Sequence, residues 1–257
     1  MYIATSYISY IIQGLKENQG IKIKWDIQNR KMKIIINVDV IVQQAKFHVR
    51  AGTSRYYEGG DNYGVQSVAI HPAFNAINYD YDVGLVEILC ILEANYSMEM
   101  LRCNYIHYLL FVVTYAVIFL PTSPQLSDRI TYDNTKQPIK LPKTHSMIDD
   151  DSLVLVLGWG ASRLLGPVSN ELLYTTMRKI NNQDCEEASG DLLTNRMFCA
   201  LSDTARPCVG DSGSPLIFHG ALFGITSWSR SCEWRYPTVF TAIAEVKDWI
   251  TNVTGTL

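Results

Sequence analysis

The sequence has no CxxC pair and no HExxH, so the usual zinc spacings are missing and no metal or cofactor is called for. Charge is sparse: 18% of residues, 22 basic against 25 acidic, for a net −3. No basic stripe interleaved with aromatics occurs, which removes the electrostatic footprint of a nucleic-acid binder. The 16 glycines are scattered without period, so collagen-like and repeat architectures drop out. Proline is absent before Pro72. A secretory leader is hard to find, because Met1 to Leu15 is fairly apolar but lacks a basic start and a small-residue cleavage site. What the chain does have is 47% hydrophobic and 11% aromatic residues over 257 positions. That excludes a wholly disordered chain and allows one large domain or two small ones.

Residues 1–50 differ from the rest, with eight basic and three acidic side chains against fourteen and twenty-two in the remaining 207. Ile21 to Ile27 alternates apolar and polar, and Met32 to Val42 is rich in Ile and Val. Both read as strands about a turn at Gln28-Asn29-Arg30. From residue 49 onward, short apolar runs broken by Gly, Asn, Asp and Ser predict strands. Examples are Gly64 to Ile70, Asp82 to Ile88, Ser152 to Leu157, Pro215 to Phe218, Ala221 to Thr226 and Val239 to Ile243. That spacing favours an all-β barrel or sandwich. Helical periodicity shows only at the end, where Ala244 to Val253 places Val246, Trp249 and Ile250 on one face. Tyr105 to Leu120 breaks the pattern, being sixteen residues without a charge. A membrane-spanning helix wants about 20, so the run is short for a span. A buried strand pair and a stretch foreign to the fold are the other readings.

Six cysteines stand at 90, 103, 185, 199, 208 and 232. The last four read as two local disulfides in a secreted chain, or as four buried thiols in a cytosolic one. Two sequons, Asn95-Tyr96-Ser97 and Asn252-Val253-Thr254, are compatible with the secretory route.

The strongest chemical signal is Cys208-Val209-Gly210-Asp211-Ser212-Gly213-Ser214-Pro215-Leu216. A serine between glycines sits on a tight turn that exposes its hydroxyl and leaves backbone N–H groups free, and those of Gly210 and Ser212 could face a developing oxyanion. A bare Gly-Asp-Ser-Gly is more often an ordinary glycine-rich turn, so the surrounding segments decide. They include Val49-Arg50-Ala51-Gly52-Thr53-Ser54, Ile70-His71-Pro72-Ala73-Phe74-Asn75 and Asp80-Tyr81-Asp82-Val83-Gly84-Leu85. Further on come Gln137 to Pro142, Gly158-Trp159-Gly160, Met197-Phe198-Cys199-Ala200, Thr226-Ser227-Trp228 and Trp249-Ile250. With these in order, the chain resembles the chymotrypsin/trypsin family of serine endopeptidases over about residues 47–88 and 125–257.

The resemblance implies two antiparallel six-stranded barrels, a C-terminal helix and a cleft between the barrels. It implies disulfides Cys185–Cys199 and Cys208–Cys232, Ser212 as nucleophile, Asp82 as the aspartate orienting a histidine, and an oxyanion hole at Gly210 and Ser212. Ser227 to Ser229, including Trp228, would pair with substrate backbone. Arg206 falls where trypsin-like members select basic residues with an aspartate. An arginine there would repel Lys or Arg and could favour an acidic residue, unless it turns outward or pairs with Asp203. Ser229 and Thr238 stand where many members have glycine, which would narrow the pocket.

The departures weigh as much. Triad chemistry needs a histidine to take and return the serine proton, and the family's Ala-Ala-His-Cys segment is missing. Upstream of Asp82 only His48 and His71 occur; His48 lies in a predicted strand, and His71 falls in a structural His-Pro step. The Ile-Val-Gly-Gly amino terminus that would pair with Asp211 has only a faint echo in Ile11-Ile12-Gln13-Gly14. Residues 1–46 therefore read as a replacement for the start of the first barrel. Residues 47–257 read as the protease-like domain, with an atypical insertion at about 89–124. Misjoined sequence would explain both oddities; divergence to a non-catalytic role is the rival. An α/β-hydrolase fits worse, since Ser214 breaks G-x-S-x-G and His219, the only histidine after the serine, leaves no room for the intervening acid.

The expectation is an all-β double barrel with an incomplete first half. Functionally it is a secreted, monomeric serine-endopeptidase domain that lacks its general base. The alternative is a non-catalytic homologue binding a protein, peptide or protease inhibitor; membrane tethering through Tyr105 to Leu120 is a third reading.

Overall fold

The computed structural model describes residues 22–26, 31–35, 48–88, 108–111, 134–233 and 235–254. Contacts divide the chain into two units, 1–47 and 48–257. In the first, β1 (Lys22–Asp26) and β2 (Lys31–Ile35) form an antiparallel pair with Trp25 opposite Met32. The strands expected from Ile21 and Met32 are thus present in part, while the Gln28-Asn29-Arg30 turn and residues 36–42 lie outside the described residues.

The second unit opens with a four-stranded antiparallel sheet: β3 (His48–Ala51), β4 (Asp61–Ile70), β5 (Gly84–Ile88) and β6 (Tyr108–Phe111). Leu109 and Leu110 of the uncharged run stand opposite Val86 and Leu85. Four residues of that run are therefore strand; the rest lies outside the described residues, as do Cys90, Cys103 and Asn95. Among the described residues no helix is long and apolar enough to cross a membrane.

The remaining strands close a six-stranded barrel. They are β7 (Leu153–Gly158), β8 (Leu173–Lys179), β9 (Met197–Leu201), β10 (Pro215–Phe218), β11 (Ala221–Ser229) and β12 (Thr238–Ala242). Their order around the barrel is β10-β11-β12-β9-β8-β7. Period-2 alternation drives the closure: Val154 and Val156 of β7 point inward with Met177, Ala200, Leu216 and Phe240. The exposed alternates Leu153 and Leu155 point outward.

Two helices complete the unit. Helix α1 (Asn182–Ser189) starts where the Asn181 side chain accepts the Asp184 N–H at 2.8 Å, and it ends at Gly190. Its sequence is mostly polar, which is why periodicity gave no sign of it; the Asn181-to-Asp184 cap was the available signal. Helix α2 (Ile243–Thr254) takes over Ile243 from the expected last strand. Its Ile243, Val246 and Ile250 pack with Leu222 and Ile225 of the barrel, with Leu85 of β5 and with Val83 just before it. The helix thereby joins the two sheets of this unit through one apolar core.

Truncating that contact is the direct check. Ile250→Ala, at a residue 2% exposed, is expected to cost about 2–5 kcal/mol in urea unfolding. The exposed Asn252→Ala in the same helix should stay within about 0.5 kcal/mol of the parent.

Candidate active site

The turn from Cys208 to Ser214 leads from the barrel interior to β10. Ser214 N–H donates to the Asp211 carbonyl at 2.9 Å and Asp211 N–H to the Cys208 carbonyl at 3.0 Å. The turn is riveted to β11 by Gly213 N–H to Thr226 O and Thr226 N–H to Ser214 O, both 2.9 Å. Gly210 sits at φ 96°, a left-handed conformation that a side chain would strain. Among the described residues, neither the Gly210 nor the Ser212 N–H is used by a neighbour, and the Ser212 hydroxyl has no hydrogen-bond partner.

The carboxylate of Asp211 is buried against Gly158, Gly160 and the Cys208 backbone. Its oxygens accept the Gly160 N–H at 2.8 Å and the Cys208 N–H at 3.0 Å. Gly-Trp-Gly is a steric requirement here: a Cβ on Gly158 would lie 1.9 Å, and one on Gly160 2.1 Å, from Asp211 oxygens. Burial pushes this carboxyl above its ordinary range, against the opposing pull of the two N–H groups. No Lys, Arg or His among the described residues pairs with it. It lines a cavity of about 60 Å³ with Val156, Tyr174 and Arg206.

Asp82 is fully buried just before β5. Ser227 Oγ donates to its Oδ2 at 2.6 Å, and Thr241 Oγ1 donates to its backbone carbonyl at 3.0 Å. The loop that delivers it is strained, with Tyr79 and Tyr81 at φ 59° and 53°. Asp80, between them, accepts Arg196 Nε at 2.8 Å, Arg196 Nη2 at 2.6 Å and Thr194 Oγ1 at 2.8 Å. Burial would raise the Asp80 carboxyl, but the hydrogen bonds from Arg196 and Thr194 and the guanidinium charge hold it below its ordinary value. The guanidinium also lies 4.7 Å over the Tyr81 ring.

The described histidine side chains are engaged elsewhere. His71 stacks on Tyr81 at 4.3 Å between centroids, packs on Trp249 at 4.9 Å, and accepts the Ala73 N–H on Nδ1. Burial lowers its pKa, while Asp80 pulls the other way. His145 meets Glu245, and His219 lies exposed beside Phe218. His48 lies in β3, with its backbone opposite Gly64.

Arg206, which the resemblance expects in the substrate pocket, makes no ion pair with Asp203 and turns its guanidinium onto backbone carbonyls. Its Nη1 donates to the carbonyls of Glu233 and Tyr236, each at 2.5 Å, and its Nη2 to that of Ser202 at 2.8 Å. Ser229 Oγ lies 2.9 Å from Ser231 O and 3.0 Å from Pro237 O. Thr238 is buried with its hydroxyl unpartnered among the described residues, as are Thr226 Oγ1 and Trp228 Nε1. Disulfides Cys185–Cys199 and Cys208–Cys232 are formed, the second tying the Ser212 turn to the loop that Arg206 clasps. The Asp82–Ser227 bond and the Asp80–Arg196–Thr194 cluster were not foreseen. Their members are 145, 116 and 114 residues apart, so no local pattern could signal them.

The trypsin family model matches residues 122–250, half of the chain. This chain belongs to the trypsin family. Among curated members, Trypsin 5G1 of Aedes aegypti is 26% identical over 217 residues, spanning 82% of this chain and 67% of that protein. Chymotrypsin-2 of Vespa crabro is 35% identical over 127 residues, 49% of this chain and 57% of its own. Among solved structures, the scabies mite inactivated protease paralogue S-D1 superposes with a TM-score of 0.61 at 18% identity, covering 82% of this chain and 77% of that one. Mouse neuropsin gives 0.58 at 24% identity, covering 81% and 79%. These neighbours share the chymotrypsin-type fold with this trypsin-family chain.

Two outcomes test the geometry. Ser227→Ala removes the Oγ donor to the buried Asp82 carboxylate and should cost about 1–3 kcal/mol in denaturant unfolding. Asp211 is checked by pH. With its folded pKa raised above 3.8, its favourable contribution is full below that value and is lost as pH rises through the raised one. The stability of the parent relative to Asp211→Asn should therefore fall as pH rises above 3.8, read as the difference in urea midpoints.

Proposed function

We propose that this chain is a serine-endopeptidase domain by descent whose cleft binds protein segments without turning them over. The observation that carries the reading is the isolation of Ser212: its hydroxyl meets no hydrogen-bond partner among the described residues, His71 and His145 are committed elsewhere, and His219 lies exposed beside Phe218. Acyl transfer by serine needs a base to take the hydroxyl proton and return it to the leaving amine. In a serine protease the loss of the triad histidine costs about 2 × 10⁶-fold in kcat. Roughly 10³–10⁴-fold over water survives from oxyanion stabilisation and binding.

In this reading Ser212 is the nucleophile in place, Asp82 is the orienting carboxylate, and the Gly210 and Ser212 N–H groups are the oxyanion donors. The stretch Ser227-Trp228-Ser229 pairs with the backbone of the bound segment. Family membership makes protein substrates and inhibitors the natural partners. An extracellular setting fits the two disulfides and the exposed Asn252 of the second sequon.

A second reading, a competent peptidase, is favoured by the unengaged N–H groups at Gly210 and Ser212. Hydrolysis of a peptide library by the purified chain and by Ser212→Ala separates the two. The binding reading expects equal, background rates from both proteins. Cleavage that disappears in Ser212→Ala would establish a working base and overturn it.

A further inference from the structure

The side chains at the selective end of the cleft are turned onto their own walls. Arg206 is half-buried, and three of its N–H groups are satisfied by backbone carbonyls from two separate stretches. Ser202 O lies just beyond the end of β9; Glu233 O and Tyr236 O belong to the loop held to the Ser212 turn by Cys208–Cys232. Ser229 Oγ stands between Ser231 O and Pro237 O, drawing the end of β11 against the chain that enters β12. Thr238 fills the start of β12 and is 1% exposed. Each of these groups could have faced a ligand, and the hydrogen bonds of Arg206 and Ser229 hold them to the loop instead.

We propose that the Arg206 guanidinium closes the specificity pocket from within, so that the cleft accepts a small uncharged side chain there and excludes basic, acidic and large aromatic ones. The inference rests on the reading of the cleft given above. A basic side chain meets a fixed positive charge. An aromatic ring meets the space that the Arg206 stem and guanidinium occupy. An acidic side chain would need the guanidinium to leave carbonyls that already neutralise its donors, and buried donors and acceptors left unpaired are costly. This differs from the expectation that an arginine here selects acids, because a cation clasped by its own loop is not the same ligand as one projecting into solvent.

The test is calorimetric binding of a panel of disulfide-closed peptide loops identical except for Ala, Glu, Lys or Phe at one position, preorganised so that little ordering cost obscures the comparison. The parent should bind the Ala loop at least tenfold more tightly than the other three. Arg206→Ala opens the space and should tighten the Phe loop at least tenfold relative to the Ala loop. Arg206→Met keeps the bulk without the donors, so it should still exclude Phe; it also carries the comparison if Arg206→Ala fails to fold. Tightest binding of the Glu loop by the parent, lost in both variants, would show a guanidinium that reaches its ligand and would overturn the proposal. So would a Phe loop that binds the parent as well as Ala does. If no loop binds any of the three proteins, the peptide-binding reading of the cleft falls and takes the pocket with it. That outcome is distinct, because affinity is absent across the panel and not merely reordered.

Discussion

A carboxylate with no solvent access must be held by donors, and Asp82 is held by Ser227. Asp82 leads into β5 of the four-stranded sheet and Ser227 lies in β11 of the barrel, so the bond exists only once that sheet has docked on the closed barrel. Thr241 repeats the tie at the Asp82 backbone. The Asp80–Arg196 pair does so again at the loop, where Tyr79 and Tyr81 are held in a left-handed backbone. Polar groups placed at such a junction make docking selective: a slipped sheet would leave a charge buried and unpaired, which a purely apolar junction would tolerate. The apolar part of the same junction, α2 against Val83 and Leu85, supplies the driving force; the polar part supplies the register.

Asp211 shows the opposite economy. It is 8% exposed, and among the described residues its charge rests on two backbone N–H groups alone. Burial therefore works against the ionised form. The glycines of Gly158-Trp159-Gly160 exist to let this carboxylate in, since a Cβ at either would overlap its oxygens. The Ser212 turn takes its shape from these contacts together with the Thr226 rivet and the Cys208–Cys232 bridge. The conformation of the Ser212 turn is thus a consequence of folding, set by contacts that do not involve the Ser212 hydroxyl.

Much of this was legible beforehand. Strands at Ser152 to Leu157, Pro215 to Phe218 and Ala221 to Thr226 appeared close to where they were expected, because alternation or short apolar runs mark buried strands directly. The terminal helix was legible from Val246, Trp249 and Ile250. Helix α1 was not, because it is mostly polar and docks through Cys185 and a cap, not through an apolar stripe. The serine turn and the disulfide pairs could be named from ordered motifs. The direction Arg206 takes could not, because a long cationic side chain goes wherever carbonyls converge, and that depends on how two distant loops meet.

Sequence alone determined the family, much of the strand content, the Gly-Asp-Ser-Gly turn and the lack of the usual histidine segment, all of which are written in contiguous residues. The tertiary structure decided which serine holds Asp82, which backbone groups carry Asp211, where the His71 ring is spent and what Arg206 grips. Each of these is a contact between groups tens to more than a hundred residues apart. Their partners are selected by the approach of folded elements, and no local pattern encodes that approach.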